Sequence, residues 1–194
     1  MKPRRLVRPT YSFTEEEARR ASDEWGFNCG PAALAAMLDL KPDDVRSAIP
    51  DFDAKRYTNP TMMAAALRSL GVSHHDCAST ETWAIAGQLI GRSLRPGTES
   101  FPQYGLARIQ WEGRWTEPGV PIVARYRKTH WIGTMVVWRG KDRFLRLFDV
   151  NGGWMSFEKW EDEIVPALTA LYKGASGKWH VTHRWQLIFQ ESDE

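Results

Sequence analysis

The segment "WGFNCGPAALAAML", Trp25 to Leu38, decides how the rest of the chain is read. From Pro31 to Leu40 it is apolar on nearly every side, which predicts a helix buried all round rather than one lying on a surface. Asn28 is a good N-cap for that helix, and Cys29 falls in its first turn. There, backbone N–H groups and the positive end of the helix dipole favour a thiolate. Gly30 is expected to leave room for an approaching substrate chain, and Pro31 sits where its missing N–H costs little. A cysteine that merely fills space needs none of these neighbours. Cys29 is therefore read as a candidate nucleophile fixed on a rigid element.

Outward from that helix the pattern is helical first. "TEEEARR" (Thr14 to Arg20) has a capping threonine followed by acids in its first turn. Lys41 to Ile49 reads as a short helix. In "TNPTMMAAALRSLG", Asn59 can cap, Pro60 fits the first position and Gly71 ends a helix that buries Met63, Leu67 and Leu70. "STETWAIAGQLIG" predicts another helix, stopped at Gly91. Arg92 to Gly119 has a loop-like composition, with room for one short strand or helical turn.

The period then changes. "VPIVARY" (Val120 to Tyr126), "HWIGTMVVW" (His130 to Trp138) and "RFLRLFDV" (Arg143 to Val150) are β-rich, with "RGKD" as a hairpin turn between the last two. "SFEKWEDEIVPALTALY" returns to helix, with Pro166 as a kink or break. "WHVTHRWQLIF" alternates, so Trp179, Val181, His183, Trp185, Leu187 and Phe189 are expected on one face, with His183 packed against a neighbouring strand. Helices followed by an antiparallel sheet define an α+β architecture.

With 194 residues and no repeat, low-complexity tract or long linker, the chain is expected to form one domain over residues 1–194. The net charge is +2, from 26 basic and 24 acidic residues, which gives no ground for general nucleic-acid binding. The basic start "MKPRRLVR" lacks a following apolar region, so residues 1–13 are read as a solvated basic tail rather than a signal peptide. A short arm for phosphate or a partner is the sharper alternative. No apolar run approaches the roughly 18 residues of a membrane span, so no membrane association and a cytoplasmic location are expected. In such a reducing compartment the two cysteines, Cys29 and Cys77, should be thiols. Neither His74, His75 and Cys77 nor His180 and His183 have structural-zinc spacing, and no glycine-rich phosphate loop occurs. No metal or nucleotide cofactor is expected.

A thiolate nucleophile requires a base, and the base requires a group to orient it. His74 and His75 follow a helix in a polar stretch and read as surface; His180 and His183 lie within the last strand. His130 opens a strand after a polar turn, where its side chain can project from the sheet edge. It is the candidate base. With the following hairpin centred near Gly140, pairing places Asp149 or Asn151 about level with His130, within roughly one pair of register error. Both point to the same face, and either can fix the imidazole tautomer.

The series "NCGPAALAAML", "NPTMMAAALRSLGV", "GVPIVARY...THWIGTMVV" and "FLRLFDVNGGWMSFEKWEDEI" resembles the papain-like cysteine peptidases, most of all the group that trims double-glycine leader peptides and its stand-alone relatives. The resemblance spans about Trp25 to Ile164. It implies a papain-like fold, with an N-terminal helical part whose buried central helix packs on a C-terminal antiparallel β-sheet. It further implies Cys29 as nucleophile, His130 as base and Asp149 as orienting acid. One departure stands out. The family usually has an oxyanion-hole glutamine about six residues before the cysteine, and this chain has Asp23 there. An ionised carboxylate donates no hydrogen bond. Asn28 and the indole N–H of Trp25 are the substitute donors, beside the Cys29 backbone N–H. Losing such a donor typically costs about 100- to 1000-fold in rate.

Three functions follow from these residues. The first is a thiol hydrolase that cleaves a peptide or isopeptide bond of a peptide or protein substrate through an acyl-thioester. The second keeps the triad for transamidation, deamidation or acyl transfer. The third is a papain-like binding module without turnover, with the Trp-rich "QWEGRWTEPG" (Gln110 to Gly119) as a recognition loop unless Trp111 and Trp115 cover the core.

Overall fold

A computed structural model describes residues 16, 19–20, 23–24, 29–77, 101–126, 128–140 and 142–188. The helix read from the opening segment is α1 (Cys29–Leu38), with nine of its ten residues buried. It lies against the sheet so closely that a Cβ added at Gly133 would meet the Met37 sulfur at 2.7 Å. Three more helices follow: α2 (Pro42–Ala48), α3 (Phe52–Lys55) and α4 (Pro60–Ser69). In α4 the Asn59 side chain accepts a hydrogen bond from the Met62 N–H at 2.9 Å, Pro60 occupies the first turn, and Gly71 beyond the end has φ +71°. Met63 and Leu67 are fully buried, as their spacing requires, while Leu70 is only half-buried.

Six strands are described, five of them in the second half of the chain. They are β1 (Ser73–Asp76), β2 (Tyr104–Gly113), β3 (Thr129–Arg139), β4 (Asp142–Asp149), β5 (Gly153–Ser156) and β6 (Ala175–Ile188). Their order is β1-β6-β2-β3-β4-β5, and every neighbouring pair is antiparallel. The fold is α+β. The β3–β4 hairpin turns through Gly140 at φ +62°, between paired Arg139 and Asp142, where "RGKD" predicted it.

Consecutive strand residues feed two separate cores. Leu106, Trp131 and Phe148 join the cluster of α1 and α4; Ala107, Ile132 and Leu147 join that of the helical segment after β5. Side chains alternate across a strand, so the sheet is covered on both faces. The second cover starts as α6 (Phe157–Lys159), passes through a π-helical turn (Trp160–Ile164) and ends as α7 (Val165–Ala170). The Val165 N–H reaches back five residues to the Trp160 carbonyl. The break expected at Pro166 thus takes the form of a widened turn just before it, which relieves the clash of the ring with the preceding turn.

Three expectations are corrected. Residues 92–119 are not simply loop-like, because 104–113 form the long strand β2 between β6 and β3. Its buried polar side chains disguise it. The segment 120–126 is not a strand: after Pro121, α5 (Ile122–Arg125) makes one helical turn and leaves Ile122 and Val123 exposed. Nor do the apolar residues of β6 share one face. Arg108 pairs with His183 but Ile109 with Val181, so Thr182 is an extra, bulged residue. The phase flips there, sending Trp185 and Leu187 to the first core and Trp179 and Val181 to the second. The helix expected over 79–91, most of Thr14 to Arg20, and Phe189 lie outside the described residues. Among the described residues no helix is long and apolar enough to cross a membrane.

Candidate active site

Cys29 is the first residue of α1, 6% exposed, and no disulfide joins it to Cys77. His130 is the second residue of β3 and Asp149 the last of β4, and both are fully buried. The His130 Nε2 and Asp149 Oδ2 are 2.8 Å apart. The Cys29 side chain is near enough for its charge to act on the imidazole, and with Nε2 engaged by the carboxylate the ring nitrogen left to face it is Nδ1. Three elements, α1, β3 and β4, therefore bring the sulfur, the ring and the carboxylate together.

The register explains the second contact. The last β3–β4 pair is Gly133 with Phe148, so one step further sets Asp149 opposite Ile132 and diagonal to His130. Asn151, the other residue that pairing allowed, holds the acid instead of the ring. Its backbone N–H and Nδ2 donate to Asp149 Oδ1 at 2.9 and 2.8 Å. Oδ2 also accepts the Trp160 indole N–H at 2.8 Å, beside His130. A carboxylate taken fully out of water is costly unless its lone pairs are met, and here four contacts meet them.

The charges follow from these contacts. Burial pushes the His130 imidazole toward neutrality, but the Asp149 charge, then the Cys29 charge and hydrogen bonds to both, raise its pKa well above the ordinary 6.5. Burial works against the Asp149 carboxylate as well. The His130 charge and hydrogen bond, the Asn151 N–H and the Trp160 N–H prevail and hold it below the ordinary range. A buried imidazolium–carboxylate pair is the state this geometry favours.

Cys29 opens on a cleft of about 700 Å³ at the end of the sheet, where the two helical layers meet: Thr58 and Asn59 line one side, Leu168 and Tyr172 the other. Gly30 does not leave space for a substrate, as the sequence had suggested. Its missing Cβ position is filled by Thr58, whose Oγ1 would be 2.2 Å away. Asp23 is an exposed residue. Asn28 and Trp25 lie outside the described residues.

Three of the remaining histidines are engaged elsewhere, and His75 is exposed. His180 Nδ1 is 3.0 Å from Glu112 Oε1, the His74 ring packs 4.7 Å from Trp185, and His183 lies against Trp131 and Trp185. Trp111 is buried and the Trp115 indole donates to its carbonyl at 2.7 Å, so these rings cover the core rather than form a recognition loop. Two residues of the site escaped the sequence reading. Trp160 looked like any core aromatic on a helix, and Arg108 lay in the stretch taken as loop. Comparison of the chain with protein-family models, with curated proteins and with solved structures finds no match.

Proposed function

We propose that the protein is a thiol hydrolase that cleaves a peptide or isopeptide bond, on a papain-like fold, within a reducing compartment such as the cytoplasm. The observation that carries this reading is the buried His130–Asp149 pair, 2.8 Å apart, with the charge of Cys29 acting on the same ring and Cys29 itself lining a cleft. In the proposed cycle the proton of Cys29 Sγ already resides on His130 Nδ1 as the imidazolium, and the sulfur attacks the substrate carbonyl carbon as a thiolate. The His130 imidazolium then gives its proton to the departing amine as the C–N bond breaks, leaving an acyl-thioester. Water, deprotonated by the same nitrogen, hydrolyses the thioester, and the sulfur departs as the thiolate beside the re-formed imidazolium. Asp149 fixes the ring's orientation and stabilises its charged form throughout. The Cys29 backbone N–H, beside the attacking sulfur, is the donor assigned to the oxyanion.

Alkylation by iodoacetamide tests the nucleophile. Cys77 is the more exposed thiol, so accessibility alone makes it the faster one. Activation by His130 reverses that order: Cys29 is expected to react at least about tenfold faster, and His130→Ala to return it below Cys77. Equal rates at the two sulfurs in the wild-type protein would remove the basis of this reading.

A further inference from the structure

Among the described residues, the charged side chains lining the cleft are Arg108 and Lys128, and both are cations. Arg108, on β2, is only 5% exposed. Its Nη2 donates to Thr129 Oγ1 at 3.0 Å, its guanidinium lies 5.7 Å from the Tyr126 ring centre, and its Nε meets no acceptor among the described residues. None of these neighbours is an anion. Burial lowers its pKa, against the opposing pull of charge on Cys29 and Tyr126. A guanidinium this far out of water normally has a carboxylate beside it, because an unpaired buried charge is costly. Lys128, its ammonium 4.9 Å above the Tyr172 ring, adds a second positive charge to the same wall.

The rim is apolar. Of the seven large apolar side chains exposed among the described residues, four line this cleft: Tyr57, Val123, Tyr126 and Leu171, with Val123 81% and Leu171 74% exposed. Exposed apolar surface gathered at one place marks a binding site. Cationic floor and apolar rim together describe a complementary ligand: a chain with a carboxylate at its centre and apolar groups on either side.

We propose that Arg108 determines specificity, so that Cys29 acts on peptides bearing an acidic side chain beside the attacked bond and apolar residues around it. This inference rests on the reading of Cys29 as nucleophile. The planar fork of Arg108 suits a carboxylate in two-point contact, which a primary amide of the same shape cannot match. Glu is thereby separated from Gln, and Asp from Asn.

Iodoacetate and iodoacetamide provide the test, since they differ only in carboxylate against amide. At Cys29 of the wild-type protein the iodoacetate-to-iodoacetamide rate ratio is expected to exceed that at Cys77 by about tenfold or more, the size of one charge-assisted contact. Arg108→Gln should bring the ratio down toward that of Cys77, with Arg108→Lys between them, which separates Arg108 from the nearby imidazolium. Because replacing a buried arginine can unfold a protein, the wild-type chain is also challenged with blocked amino acids. N-acetylglutamate methylamide should protect Cys29 from iodoacetamide at concentrations where its glutamine counterpart does not. Equal ratios at the two cysteines, no preferential protection, or an equal fall with both reagents in Arg108→Gln overturns the proposal. A Cys29 that is fast with iodoacetamide but indifferent to the carboxylate sinks this assignment alone. A Cys29 no faster than Cys77 with iodoacetamide sinks the nucleophile first.

Discussion

Asp149 shows how much a single side chain here depends on its partners. Four hydrogen bonds from His130, Asn151 and Trp160 hold a carboxylate that no water reaches. Trp160→Phe removes one of these donors while leaving a ring in place between Trp111, Phe157 and Trp179. A stability loss of about 1–2 kcal/mol is expected in urea unfolding, the usual effect of deleting a donor to a buried charged acceptor. An unchanged midpoint would mean that the indole N–H does nothing for the acid. Cys29, His130 and Asp149 were legible because helix-start residues and hairpin register are local signals. Trp160 was not, since nothing in "FEKWEDE" separates a ring that donates a hydrogen bond from one that only fills space.

At the scale of elements, α1, α4, β3 and β4 were legible because each combines a clear period with a turn or cap residue. β2 was hidden by Arg108 and Gln110, two polar side chains buried in a central strand. The Gln110 Nε2 donates to the Trp111 and Lys128 carbonyls at 2.8 and 2.9 Å, while its Oε1 meets no donor among the described residues. Composition reports polarity and cannot report that a polar side chain finds acceptors inside a sheet. Pro121 misled in the other direction: it starts a helical turn in a run of β-branched residues that finds no strand partner. Two glycines test this level. A Cβ at Gly105 would lie 1.8 Å from the Trp185 carbonyl oxygen, backbone against backbone, where β2 meets β6. Gly105→Ala is expected to cost about 3 kcal/mol, the upper end for overpacking, in chemical denaturation. At Gly30 the added Cβ would lie 2.2 Å from the Thr58 Oγ1 and 2.9 Å from its Cβ, so side-chain rotation alone does not clear it. Gly30→Ala should therefore cost about 1–3 kcal/mol in chemical denaturation and slow Cys29 alkylation severalfold, because Thr58 must shift at the cleft.

For the whole molecule the buried ion pair sets how stability varies with pH. His130 has a raised folded pKa, so its contribution is complete below the unfolded value near 6.5 and is lost as pH rises through the folded one. Asp149 has a lowered folded pKa, so its contribution is present above the unfolded value of 3.8 and is lost as pH falls through the folded one. Between 3.8 and 6.5 both are intact. Above pH 6.5 the folded chain holds a proton that the unfolded chain has released, and wild-type stability should decline relative to a His130→Gln variant. Urea titrations at several pH values check this; parallel curves for the two proteins would show that His130 stays neutral in the fold.

The extra residue in β6 ties these scales together. Thr182 Oγ1 donates to the Arg108 carbonyl at 3.0 Å, so the irregular step is pinned to the backbone of the very residue that faces the cleft. Upstream of it the strand is phased for one hydrophobic interior, downstream for the other. Excising that lone threonine would leave a strand with a single phase. Either Trp179 and Val181 or Trp185 and Leu187 would then be turned away from the interior they fill, and the guanidinium would lose the anchor behind it. A deletion of one amino acid, far along the chain from Cys29, would thus leave β6 able to serve only one interior and disturb the mouth of the cleft in the same stroke.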